Sequence, residues 1–253
     1  MSIKRSYGEV TNKLKNYFSF VYSLASMGLV LSFSLASIFG ELRMKVGINN
    51  SAFFLLDIIF FAGSFIASVL ISSNKAMKMN TSTLVGFLGF EALINGYFLH
   101  VIYIYGKYVN AGPIFLALGT TTITFISAAI FVYFSKVDFS FSSSESARSR
   151  FSKVLNILFL SILSLFLCKI GFSLFGKNNI VNGVDSIYLV LSLVLSLIFV
   201  IYSNGVIKRI YDVHENDSNS LTKLGVVASI LVLNSFIALF MTLCRIFMKK
   251  NDK

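Results

Sequence analysis

Long apolar stretches separated by short polar connections dominate this chain. Seven of them, each of about 19–28 residues, cover 17–40, 51–72, 83–105, 113–134, 154–175, 186–204 and 221–248. A helix rises about 1.5 Å per residue and needs roughly 20 residues to cross the hydrocarbon core of a bilayer. No stretch shows the two-residue alternation of membrane β-strands. The pattern therefore predicts an all-α integral membrane protein with seven transmembrane helices in one bundle, a single membrane domain over residues 1–253.

The composition supports a membrane location. Of the 253 residues, 56% are hydrophobic and 13% are charged, whereas a soluble domain carries about a quarter charged residues. This balance argues against a soluble enzyme and against a nucleic-acid partner, despite a formal charge of +11. The single proline, Pro113, lies where the fourth predicted helix begins, and a missing N–H costs little there. The first apolar stretch is too long for a signal-peptide core, so we expect it to stay as a span.

The distribution of cations predicts the orientation. Thirteen lysines and arginines fall on the side of the N-terminus and of every second connection, against five on the other side when Lys169, inside the fifth predicted helix, is counted there. Because cytoplasmic loops are enriched in lysine and arginine, the N-terminus is predicted to be cytoplasmic. The basic C-terminus, with Arg245, Lys249, Lys250 and Lys253, would be outside after seven crossings. Either the first helices set the orientation despite this basic end, or the last helix is re-entrant and returns to the cytoplasm. A chain with 27 phenylalanines and no tryptophan suits an AT-rich genome, which favours a bacterial inner membrane.

Four ionisable residues fall inside the predicted helices: Asp57, Glu91, His100 and Lys169. A charged group within a span costs several kcal/mol, so we expect these side chains to face the bundle interior or a water-filled path. Lys169 could pair with one of the two carboxylates. The sequence leaves three interpretations open: a buried ion pair that fixes helix packing, a proton or cation pathway, or a helix boundary placed wrongly.

The spacing of Glu91 and His100 argues against a shared metal ion. Nine residues place the two side chains on opposite faces of a helix and about 13 Å apart along its axis, whereas Glu91 and Asn95 share a face. Gly89 and Gly96 on the same helix would allow a close helix contact. We find no catalytic motif, phosphate loop or zinc spacing, and therefore expect no enzyme activity, no metal site and no cofactor.

Several local motifs occur in an order that resembles a known family. They are the run Val21–Leu29, the spacing Ala117-x3-Thr121-x3-Phe125 followed by Ser135–Asp138, the run Ile201–Lys208, and the last helix from Ala228 to Phe247. Together they resemble the Bax inhibitor family of multi-pass membrane proteins, over residues 16–247, as a divergent bacterial member. The resemblance implies seven helices and a role in ion leak or in membrane-protein regulation.

The chain departs from this family at the position of a pH latch. In the family that the chain resembles, calcium-leaking members close the pore with two aspartates that share a proton, assisted by a basic side chain. These positions fall on Ser203 and Ser235 for the aspartates and on Lys78 for the cation. Serine does not titrate near neutral pH. We therefore expect that the paired-aspartate latch is lost, or that pH sensing has moved to one of the embedded ionisable residues.

Two functions remain open at this point. One is a cation leak channel or transporter, with calcium as one candidate ion, lined by Glu91 and Asp57, because hard cations prefer oxygen ligands. The alternative is a membrane-embedded regulator that binds other membrane proteins, such as a quality-control protease. The partners expected are accordingly the lipid bilayer and either calcium or other cations, or membrane proteins.

Overall fold

The computed structural model describes residues 2–47, 55–56, 58–60, 62–63, 78–135 and 178–251. All regular secondary structure in these residues is helical. Five long helices are present, together with short helical stretches between residues 55 and 63. They are α1 (Ser2–Val46), α2 (Thr81–Tyr108), α3 (Gly112–Phe134), α4 (Asn178–His214) and α5 (Ser218–Asn251). Each of the five contains a segment long and apolar enough to cross a membrane.

Five of the seven predicted segments lie within these helices, namely the first, third, fourth, sixth and seventh. The helices run beyond the predicted bounds because hydropathy marks the lipid-facing part, whereas an established helix adds further residues at little cost. The second predicted segment, 51–72, is described only in part, and the fifth, 154–175, lies outside the described residues. The count of seven crossings and the single membrane domain therefore stay predictions.

Helix α5 is unbroken over 34 residues, a length of about 51 Å at 1.5 Å per residue. A re-entrant segment must turn back within the bilayer, which requires a break in the helix. The continuous helix has no such break, which favours a full crossing over the re-entrant alternative for the last segment. Near its end, Lys249 Nζ lies 3.1 Å from Asp185 Oδ2 near the start of α4.

The chain divides into two compact units, the first comprising Met1–Gly112 and Val206–Ile237. In this unit α1 and α2 approach closely at Gly96. A Cβ atom on Gly96 would lie 2.6 Å from Leu35 Cβ and 2.8 Å from the Ser32 carbonyl oxygen, whereas one on Gly89 would meet nothing within 4 Å. Of the two glycines that the sequence suggested, Gly96 therefore makes the close helix contact.

Aromatic rings fill the space beside this contact. Phe60, from the second predicted segment, stacks on Tyr97 of α2 with ring centroids 4.3 Å apart. Phe39 of α1 meets the same Tyr97 ring edge-on at 5.4 Å. Gly28, in the run that resembles the family, lies against Leu233 of α5. The first unit thus packs parts of α1, α2 and α5 together.

The second unit comprises Pro113–Gly205 and Ala238–Lys253. Its helix α3 buries Ala117, Thr121 and Phe125, which recur every four residues and so form one stripe. These are the residues of the Ala-x3-Thr-x3-Phe motif. The motif therefore marks a packed face of α3. Elsewhere in this unit, the hydroxyls of Ser196 on α4 and Thr242 on α5 lie 3.5 Å apart.

Candidate functional site

A buried polar cluster in the first unit is centred on Glu91 of α2. The Glu91 side chain is only 2% exposed. Its Oε2 accepts a hydrogen bond from Asn234 Nδ2 of α5, at 3.4 Å. Asn95 Nδ2 donates in turn to Asn234 Oδ1, at 2.8 Å. We call Glu91, Asn95 and Asn234 the Glu91 cluster.

Helix periodicity brings two residues of the cluster together, and tertiary packing adds the third. Glu91 and Asn95 share a face of α2 because four residues separate them, as the sequence predicted. Asn234 reaches them from a neighbouring helix and uses both ends of its amide group. Since Asn95 donates to its oxygen, its nitrogen is the end that faces the carboxylate.

The carboxylate of Glu91 is incompletely satisfied. Its Oε1 is buried and has no hydrogen-bond partner in the described part of the chain, and the bond to Oε2, at 3.4 Å, is longer than the usual range of about 2.7–3.2 Å. A buried ionised carboxylate is strongly disfavoured without a partner. This oxygen therefore keeps an unused hydrogen-bond acceptor among the described residues.

The described ranges contain no group of three or more acidic, histidine or cysteine side chains that could hold a metal ion. Tight calcium sites use six to eight oxygen ligands with several carboxylates. The Glu91 cluster offers one carboxylate and two amides. Its chemistry suits transient contact with a cation better than tight retention.

His100 lies on the opposite face of α2 and has different partners. The ring is 1% exposed, and Nε2 lies 2.6 Å from Nη1 of Arg43 on α1, while Nδ1 contacts the Tyr97 carbonyl oxygen. Because arginine only donates, Nε2 accepts, and Nδ1 carries the proton that is donated to Tyr97. His100 thus links two helices, and its partners differ from those of Glu91.

A second ionic cluster lies at the same end of α1 and α2. The Tyr103 hydroxyl donates to Glu41 Oε1 at 2.7 Å, and the Lys107 ammonium group binds the same oxygen. The sequence patterns did not predict this cluster. A signal was available, because His100, Tyr103 and Lys107 recur with helical spacing and could face the charged pair Glu41 and Arg43 at the end of the preceding helix.

The positions of the family's latch are occupied by side chains engaged with their own helices. Ser203 is 1% exposed and donates to the Val200 carbonyl at 3.0 Å. Ser235 donates to the Leu231 carbonyl at 2.6 Å. Such bonds to the preceding turn are common for serine in helices. Lys78 is exposed just before α2.

Two of the predicted site residues cannot be placed. Asp57 and Lys169 lie outside the described residues. The pairing of Lys169 with a carboxylate, and the contribution of Asp57 to a pathway, stay predictions.

Five apolar helices of membrane-spanning length define a multi-pass helical membrane protein. A family model described as "Inhibitor of apoptosis-promoting Bax1" matches residues 14–252, nearly the whole chain. The protein therefore belongs to the Bax inhibitor family, which confirms the resemblance drawn from the sequence. A search of curated proteins finds no match to this chain.

Proposed function

We propose that this protein provides a cation leak pathway through the membrane, with Glu91 as its embedded carboxylate. The observation on which the proposal rests is the buried Glu91 Oε1, which has no hydrogen-bond partner in the described ranges. Ionisable residues inside membrane spans are costly and commonly mark ion or proton pathways. Membership of the family is compatible with this function.

A purely structural acid would be expected to have more partners than Glu91 has. Buried polar atoms are normally hydrogen-bonded, and a carboxylate that only fixes packing gains most when both oxygens are bound. Glu91 has one long bond from Asn234. A cation that passes Glu91 would supply the positively charged partner that its carboxylate lacks.

The weak ligand set favours conduction over storage. An ion must bind well enough to enter and weakly enough to leave. One carboxylate beside two amides meets this condition for a monovalent cation, and for calcium as a brief contact. With serine at both latch positions, Ser203 and Ser235, no pair of like charges is available there to close the pathway through a shared proton.

Flux through proteoliposomes tests the proposal. Purified protein is reconstituted, and calcium and potassium entry are followed with trapped indicators between pH 5 and pH 8. Glu91→Gln keeps the shape of the side chain and removes its charge, so we expect cation flux to fall about tenfold or more, the equivalent of about 1.4 kcal/mol in barrier height. Asp212→Asn is the matched control, because Asp212 is an exposed carboxylate outside the cluster.

Two results would contradict the proposal. One is wild-type flux equal to that of empty liposomes at every pH. The other is equal flux for the wild type and Glu91→Gln. Either would favour the alternative function, a membrane-embedded regulator of other membrane proteins, which a crosslinking pull-down from native membranes would then examine.

A further inference from the structure

A cavity of about 330 Å³ opens in the first unit, away from the Glu91 cluster. It lies between the early part of α1, the end of α4 and the start of α5. Residues from all three helices line it, including Lys13, Tyr17, Phe20, Tyr211 and Glu215. Its volume is at the lower end of the range for small-ligand sites.

Aromatic rings form one wall of the cavity. The Tyr17 and Tyr211 rings lie with centroids 5.9 Å apart and planes inclined by 38°. Gly225 of α5 allows this arrangement, because a Cβ there would lie 2.7 Å from Phe20 Cε1 and 3.2 Å from Tyr17 Cε2. The wall thus combines an apolar surface with the faces of two electron-rich rings, which attract cations.

The hydroxyl of Tyr17, a residue that lines the cavity, has no hydrogen-bond partner in the part of the chain that the structure describes. Tyr17 is 8% exposed, and its hydroxyl oxygen is buried with no hydrogen-bond partner in the described residues. A buried tyrosine hydroxyl usually has one. Tyr17 is one of the residues that line the cavity, and a ligand bound there would give its hydroxyl the partner that it lacks.

The charged residues at the cavity have opposite signs. Lys13 and Glu215 contribute one cation and one anion, which matches a zwitterion better than an anion or a cation alone. By the cation distribution, the N-terminal segment and the connection before α5 are predicted to be on the cytoplasmic side. Lipid headgroups occupy this level of a membrane, and tyrosines are enriched there.

We propose that the cavity binds the zwitterionic headgroup of a phosphatidylethanolamine-type lipid. The phosphate accepts hydrogen bonds from the Tyr17 hydroxyl and the Lys13 ammonium group. The lipid ammonium group meets the Glu215 carboxylate and the face of the Tyr211 ring. Phe20 offers an apolar surface to the start of the acyl chains. The bound lipid joins the beginning of α1 to the turn between α4 and α5.

Native mass spectrometry of the delipidated full chain in detergent tests this site. The probes are phosphatidylethanolamine, phosphatidylglycerol with the same acyl chains, and free phosphoethanolamine. We expect saturable 1:1 binding of phosphatidylethanolamine. Tyr17→Phe removes only the hydroxyl and should weaken binding about tenfold, as expected for a lost bond to a charged group. Lys13→Gln should have an effect of similar size.

Matched controls separate the site from general lipid adhesion. Tyr108→Phe and Lys15→Gln change exposed residues that do not line the cavity, and each should bind as the wild type does. Equal binding of phosphatidylglycerol, or unchanged binding by Tyr17→Phe, would overturn the proposal. If free phosphoethanolamine bound with the same affinity as phosphatidylethanolamine, the proposal would also be overturned, because the ligand would then be a soluble zwitterion.

Discussion

Replacing Gly96 with alanine should force α1 and α2 apart. The new Cβ would lie 2.6 Å from Leu35 Cβ and 2.8 Å from the Ser32 carbonyl oxygen, whereas carbon atoms pack at about 3.5–4.0 Å. Neither neighbour can rotate away, since one is a backbone atom and the other is bonded directly to the backbone. Truncating Leu35 to alanine would not relieve the contact, because the Cβ remains.

The cost can be estimated against a matched variant. Overpacking in a filled interior costs about 1–3 kcal/mol, and replacing a helical glycine with alanine returns roughly 0.5–1 kcal/mol. Gly89→Ala on the same helix brings the same gain without a clash, since nothing lies within 4 Å of its new Cβ. The stabilisation gained by replacing a helical glycine is the same in both variants, so it cancels when their stabilities are compared. Gly96→Ala should therefore be less stable than Gly89→Ala by about 1–3 kcal/mol.

Reversible unfolding in mixed detergent and sodium dodecyl sulfate, followed by far-ultraviolet circular dichroism, measures this difference. A gap of 1.4 kcal/mol corresponds to a tenfold change in the unfolding constant. Equal stability of the two alanine variants would refute the reasoning, because it would mean that α1 and α2 do not meet at Gly96.

Two further predictions concern the ends of α4 and α5. Asp217 caps α5, where hydrogen bonds from the Ser220 hydroxyl and amide lower the pKa of its carboxyl group. The cap should therefore be intact above about pH 4, the ordinary range of aspartate, and weaken as the pH falls through the lowered pKa. Hydrogen exchange in the first turn of α5, corrected for intrinsic rates, should show this loss, while Asp217→Asn, still a good cap, should not respond. The partly exposed Lys249–Asp185 pair should contribute less than about 1 kcal/mol in a double-mutant cycle, and a coupling of several kcal/mol would contradict this.

The local features of the protein were determined by the sequence. Apolar runs of spanning length predicted α1 to α5 in their order, because lipid requires the backbone to bond within each helix. Helical periodicity placed Glu91 and Asn95 on one face and His100 on the other. Several short motifs that occur along the chain in the same order as in the Bax inhibitor family indicated the family. Each of these properties depends on neighbours along the chain.

Tertiary structure decided which side chains complete each site. Asn234 meets Glu91 across 143 positions of sequence, and Arg43 meets His100 across 57. Gly89 and Gly96 of α2 look alike in sequence, yet a Cβ at Gly96 would meet α1 whereas one at Gly89 would meet nothing within 4 Å. Such contacts depend on the rotation and approach of whole helices. Side chains on several helices set these together, so no local pattern can specify them.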